Sequence, residues 1–209
     1  MLDASGDWLG RWQCQFSKLA IPTLRSSLSG HPDPVCALSL QHYLSSLPAT
    51  QAAGAATEVP LPRSRAYTGP FLAPTTQLFD TFCKDLVQRY NLQGTVKAAY
   101  VGQLDIVRAE EGCLLRLRYQ EPDCTTLKTA YARRVVLALG PGRPRWPTWA
   151  RTKDGSRPLA GCFHVEDLFS QRTPSAEVWK NKAITVVGGG ITAVQWAMLA
   201  AEKGMSLHC

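Results

Sequence analysis

Up to Tyr90 the apolar residues recur at helical spacing. From there to Ala132 they fall at strand spacing, and beyond that they run together. Trp8, Leu9, Trp12, Phe16 and Leu19 step by one, three, four and three residues, which predicts an amphipathic helix over 8–20 with a heavily aromatic face. That face reads as core before it reads as a ligand box. Pro22 ends the helix, because the residue before a proline is pushed out of the α region. A loop over 21–35 carries Leu24, Arg25 and the His31-Pro32-Asp33-Pro34 turn, and a short helix is expected around Cys36 to Ser46. Residues 47–73 are rich in Ala, Pro, Gly and Thr and read as a surface loop, with Ala52-Ala53-Gly54-Ala55-Ala56 low in complexity.

Pro74-Thr75-Thr76 then opens a helix. Thr75 or Thr76 is the expected cap, and Asp80 is expected in the first turn, where a carboxylate suits the helix dipole. Leu78, Phe82, Cys83, Leu86, Val87 and Tyr90 make its apolar face. Strands follow at about 94–101, 104–109, 113–119 and 127–132, with turns at Glu110-Glu111-Gly112 and Glu121-Pro122-Asp123. The last three strands read as an antiparallel meander. Val135 to Leu139 reads as a further, buried strand that ends at Gly140-Pro141-Gly142. A proline-punctuated connection over 148–181 follows, and no internal repeat is visible.

The stretch from Ala183 to Ala200 is the most informative part of the chain. Ile184 to Val187 suits a strand covered on both faces. Gly188 allows a tight turn, Gly190 removes a side chain where backbone must approach a pyrophosphate, and Ala193 is small enough for helix to pack on strand. Together they read G-x-G-x-x-A, the dinucleotide fingerprint with its last glycine replaced. A helix from Thr192 to Lys203 points its N-terminal amides at the anion, Gly204 stops it, and Met205 onward starts another strand. Gly188, Gly189, Gly190, Ile191, Thr192 and Ala193 are therefore the candidate cofactor-binding turn, against the plain alternative of a structural glycine turn. Three consecutive glycines, with Lys182, Glu202 and Lys203 around the run, argue against a membrane span.

Composition narrows the classes further. A formal charge of +7 favours nucleic acid only if clustered, and here the basic residues are scattered, with Arg133-Arg134 and Arg143 to Arg151 as the densest groups. No nucleic-acid partner is expected. Seven cysteines, an odd number without a C-x-x-C pair, argue against a secreted disulfide framework, against a zinc site and against a thiol-disulfide flavin reductase. Reduced thiols in a cytoplasmic setting are the expectation. The N-terminus has no apolar signal core.

Two features in this order resemble the centre of two-dinucleotide flavoproteins: Val135-Val136-Leu137-Ala138-Leu139-Gly140-Pro141, then Val186-Val187-Gly188-Gly189-Gly190-Ile191-Thr192-Ala193. In those proteins a strand ending in Ala-Thr-Gly closes the flavin domain, and a second glycine fingerprint opens an inserted NADPH domain. Phe16-Ser17-Lys18-Leu19, Leu24-Arg25, His31-Pro32 and Tyr43-Leu44 resemble the segment after the flavin fingerprint in N-hydroxylating monooxygenases of the lysine/ornithine type. The wider flavin-containing monooxygenase group is similar too.

The resemblance implies an α/β fold: an FAD/NAD(P)-binding Rossmann-like fold with an antiparallel three-stranded meander, incomplete. Residues 1–181 would be a partial FAD-binding domain without the first flavin strand and glycine loop, since no G-x-G-x-x-G precedes residue 188. Residues 182–209 would open the NAD(P)-binding domain. The implied cofactors are FAD and NADP (or NAD), with Ala193 leaning towards NADP; the residue reading the ribose 2′ position falls at His208 or just beyond. The resemblance implies that Gly140 brings backbone to the flavin, that Arg25 and His31 line its phosphate or ring, and that Val96 sits by the adenine. Read without the resemblance, these are a strand-terminal turn, a surface arginine, a turn histidine and a core valine. Lys18 resembles an active-site lysine of ornithine hydroxylases, yet it also fits a solvated helix position.

The implied function is a fragment of an FAD-dependent, NAD(P)H-using oxidoreductase of monooxygenase type acting on a small-molecule substrate, weak or inactive alone. The alternative is a non-catalytic binding module that pairs with another chain. No metal and no catalytic side chain are expected, because the cofactors carry such chemistry.

Overall fold

The structure, a computed structural model, describes residues 1–59, 71–109, 112–140, 145–169 and 181–208. Its fold is mixed α/β. It divides into two compact units, Met1–Ile106 with Arg116–Tyr131, and Val107–Leu115 with Ala132–Cys209. The division falls inside the meander, whose hairpin tip is counted with the second unit.

The first unit is built around two helices. Strand β1 (Leu2–Asp3) leads into α1 (Gly10–Lys18), and α2 (Ser39–Ser46) and the single turn α3 (Ala49–Ala52) follow. Strands β2 (Ala56–Val59) and β3 (Phe71–Pro74) pair antiparallel, Ala56 opposite Pro74 and Val59 opposite Phe71. The segment 47–73 is therefore not a loop throughout: a helical turn and a strand pair occupy its described parts. Helix α4 (Thr76–Arg89) comes next, and Thr75 caps it, its hydroxyl accepting from the Leu78 amide at 3.1 Å. Asp80 lies one turn further in than expected, and it pairs with Lys84 at 2.6 Å instead of serving the helix start. Asn91, at φ 52, closes α4 with a Schellman pattern: its amide reaches the Gln88 carbonyl, and the Leu92 amide reaches that of Val87.

Leu24, Leu28, Leu40, Leu78, Phe79, Phe82, Cys83 and Leu86 form one buried cluster. Helical spacing placed α4 at its centre; Phe79 joins the face, while Val87 is only partly covered. Trp12 and Phe16 pack, half-buried, against this cluster, so the aromatic face of α1 is turned to the core. Trp8 donates its indole N–H to the Leu92 carbonyl at 3.1 Å. The short strand β4 (Lys97–Ala98) pairs parallel with β1, Leu2 opposite Lys97 and Asp3 opposite Ala98.

The three-stranded antiparallel meander is as expected, but its first strand begins at Tyr100, so the strands expected at 94–101 and 104–109 are instead the short β4 and one long strand. Strands β5 (Tyr100–Ala109), β6 (Gly112–Gln120) and β7 (Lys128–Ala132) form an antiparallel sheet in the order β5-β6-β7. Arg116 pairs with Asp105 at 3.0 Å across the first two strands. Glu121 joins Lys128 at 2.6 Å and also pairs with Lys97.

In the second unit a 3-10 turn (Thr148–Ala150) and a short helix α5 (Val165–Phe169) precede β8 (Ala183–Thr185), α6 (Ile191–Glu202) and β9 (Ser206–His208). Val135 to Leu139 is not a strand. It is irregular and pairs with no described strand, with Val136 92%, Leu137 60% and Leu139 73% exposed. A continuous apolar run becomes a buried strand only where strands flank it, and none among the described residues pairs with this one. The same reason corrects the strand at 184–187: β8 stops at Thr185, pairs with β9 alone, and leaves Val187 69% exposed. The Glu110-Glu111 turn, Pro141-Gly142 with Pro144, residues 60–70 and 170–180, and Cys209 lie outside the described residues.

Candidate functional site

The glycine turn joins a parallel strand pair through a helix, the arrangement its spacing predicts. In β8 and β9, Ala183 lies opposite Ser206, Ile184 opposite Leu207 and Thr185 opposite His208. Gly188 has φ 135, which an L side chain rarely adopts. A Cβ built on it stands 3.8 Å from the Ala193 Cβ, so the turn and the first helical residues are in van der Waals contact. A Cβ on Gly189 or Gly190 meets nothing within 4 Å, so the space over the turn is open.

Gly190 is the N-cap of α6, and no side chain caps that end. The Gly190 carbonyl accepts from Ala193 at 3.0 Å and Val194 at 3.2 Å. The amides of Ile191 and Thr192 precede the first intrahelical bond and point out of the helix end, where the dipole favours an anion. At the far end Gly204, at φ 71, closes a second Schellman pattern, its amide on Ala201 and that of Met205 on Ala200. The turn thus fits a pyrophosphate: open backbone, spare donors, no competing carboxylate cap.

The other expected cofactor residues are placed differently. Gly140 ends the unpaired segment 135–139 in a left-handed turn, φ 64, rather than a strand. Arg25 is exposed on the loop after α1. His31 is half-buried, its ring 5.2 Å from Phe79 and its Nε2 against the Ser27 carbonyl. Val96 sits just before β4, not within it. Arg25, His31 and Val96 belong to the first unit, whereas the glycine turn and Gly140 belong to the second.

The first unit offers no second phosphate cradle among its described glycines near β1. A Cβ on Gly6 would meet the Ala98 Cβ at 2.8 Å, and one on Gly10 would meet Ser5 at 2.7 Å. Both glycines are there for close packing. One residue went unnoticed in the sequence: Asp3, which ends β1 beside β4 and accepts from the Ser5 amide at 2.8 Å. A two-residue strand is too short for alternation to reveal; the only signal was an acid before the Ala4-Ser5-Gly6 turn.

Electrostatics in the first unit are structural. The Asp33 side chain is 2% exposed and accepts from Tyr90 Oη at 2.7 Å and the Val35 amide at 2.9 Å, with Arg89 at 3.3 Å. The Ser39 hydroxyl, the Val35 amide and the Tyr90 hydroxyl hold its carboxyl well below the usual carboxylate range. Burial, then Asp80, pushes the Cys83 thiol up to about 12, which leaves it inert. No group of three His, Cys, Asp or Glu able to hold a metal occurs among the described residues. No helix among them is long and apolar enough to cross a membrane.

No family model matches the chain, and neither a curated protein nor a solved structure does.

Proposed function

We propose that the turn Gly188–Ala193 holds the pyrophosphate of a nicotinamide dinucleotide, NADP or NAD, and that the chain serves an FAD- and NAD(P)H-dependent oxidoreductase of monooxygenase type. The observation that carries this reading is the uncapped N-terminus of α6, opening from a glycine turn between parallel strands. The amides of Ile191 and Thr192 donate to phosphate oxygens. Gly189 and Gly190 let the backbone come close, and Ala193 keeps the helix against the turn. When bound, the nicotinamide supplies a hydride.

The chain from 182 onward then opens a nicotinamide domain, and the residues before it belong to a flavin domain. For FAD the support is thinner. Asp3 ends a parallel strand where dinucleotide-binding sheets carry a ribose-reading acid, and Val96 lies beside that sheet. Gly6 and Gly10 do not fit the flavin pyrophosphate, so the flavin half of the reading rests on the resemblance.

The test is calorimetric titration of the chain with NADPH and NADH, alongside Gly190→Val. Binding that weakens at least tenfold in the variant, with helix content unchanged by circular dichroism, is the expected result. Equal affinity in the two proteins would overturn the assignment. Addition of FAD, read by its visible band after gel filtration, tests the flavin half separately.

One observation favours a second reading, a non-catalytic module that pairs with another chain. The segment Val135 to Leu139 is apolar, exposed and pairs with no described strand, leaving backbone and side chains that a partner chain could cover. A higher-mass species that Val136→Asp dissolves, in a chain that binds no dinucleotide, is the result this reading requires.

A further inference from the structure

A cavity of about 1170 Å³ lies within the first unit, and none of its lining residues belongs to the glycine turn or to the other expected cofactor positions. Its size is at the upper end of small-molecule sites, which run to roughly 1,000 Å³. One face of α1, the first turns of α4 and the α2–α3 region line it, and it opens to solvent.

The chemistry of its walls selects a ligand. Trp12, Phe16 and Tyr43 supply flat apolar surface, with Trp12 and Phe16 ring centroids 4.4 Å apart. Among the described lining residues the charged ones are Asp80 and Lys84, and they pair at 2.6 Å. Gln13 takes the other Asp80 oxygen at 2.6 Å, so the carboxylate has little left to offer. Lys84 is held protonated by that hydrogen bond and by the charge of Asp80. Groups that remain for a guest include the side-chain amides of Gln51 and Gln77 and the hydroxyl of Thr50. An aromatic wall favours a planar body, amides and hydroxyls favour a hydrogen-bonding rim, and the Asp80–Lys84 pair leaves no unpaired charge among the described lining residues to hold a charged guest.

We propose that this cavity binds a neutral, flat aromatic small molecule whose rim carries carboxamide or hydroxyl groups. The site stands independently of the dinucleotide reading.

The test uses three matched probes on the whole chain: naphthalene-2-carboxamide, 2-naphthoate and 2-naphthylmethylamine, by ligand-observed NMR. The carboxamide is expected to bind, with the anion and the cation each at least tenfold weaker. Thr50→Trp on α3 and Gln77→Trp on α4, both at exposed lining positions, narrow the cavity without replacing a core residue. Each is expected to weaken the carboxamide at least tenfold at an unchanged melting temperature. Equal binding of all three probes, retention of the carboxamide by both filled variants, or no binding of it up to its solubility limit would overturn the proposal. NADPH titration of the same variants reads the glycine turn separately.

Discussion

Both units hold apolar runs, yet among the described residues the first turns them into a buried cluster and the second leaves them largely exposed. Helix α4 buries Leu78, Phe79, Phe82, Cys83 and Leu86 on one side and keeps Lys84 and Gln88 outside. Helix α6 is apolar on nearly every side, a composition that normally marks a helix surrounded by protein. Only Ala200 of it is fully buried, while Ile191, Val194 and Met198 are 57%, 50% and 53% exposed. The difference lies in what each pattern requires. An amphipathic helix needs one packed face, which α1 and α2 supply. An all-apolar helix and a two-sided strand need neighbours on every side, and β9 is the one strand that β8 meets among the described residues.

The largest expected effect that sharpens this comparison is truncation at its two poles. Phe82→Ala removes a fully buried ring and should cost about 3–5 kcal/mol. Met198→Ala, at a half-exposed position, should stay within about 0.5 kcal/mol. Denaturant unfolding of the two variants checks the contrast, and similar losses would break it.

Next in size is Asp33→Asn. It removes a carboxylate that ties the loop before α2 to Tyr90 and Arg89 at the end of α4. The folded state depresses this acid, so its stabilising contribution is complete above the unfolded value near ~3.9 and fades as pH falls towards the folded one. The melting temperature of the variant should lie several degrees below that of the native chain at pH 7, and the gap should narrow in acid. A gap independent of pH would remove charge from the explanation.

Thr75→Ala should cost about 1 kcal/mol through the lost cap, with Thr75→Ser recovering most of it. The smallest effect belongs to the second unit. Leu137→Glu should leave unfolding free energy within about 0.5 kcal/mol yet raise solubility, because the native side chain is 60% exposed. A large loss there would mean that the segment is packed.

The same contrast explains what could be read beforehand. Period-3.6 spacing located α1 and α4, and alternation located β5 to β7, because each pattern states locally which side is covered. The Thr75 cap and the Gly204 stop were legible for a similar reason, since each satisfies backbone within a few residues. Val135 to Leu139 failed because a continuous run says nothing of its partners. The β2–β3 pair failed because Ala56-Thr57-Glu58-Val59 is too mixed to announce a strand in an alanine-rich stretch. At the candidate site, glycine spacing conveyed the turn and its helix. Arg25, His31 and Val96 came from resemblance, and they belong to the chain's other unit. The cavity beside α4 had no sequence signature, since three separate elements build it.

The central claim is that the amides opening α6 receive a dinucleotide phosphate. Backbone amide NMR of the chain titrated with NADPH tests it most directly. The account predicts saturable shifts led by Gly189, Gly190, Ile191 and Thr192, with the amides around Phe82 unmoved. Absence of shifts at those residues, or shifts confined to the first unit, would contradict it.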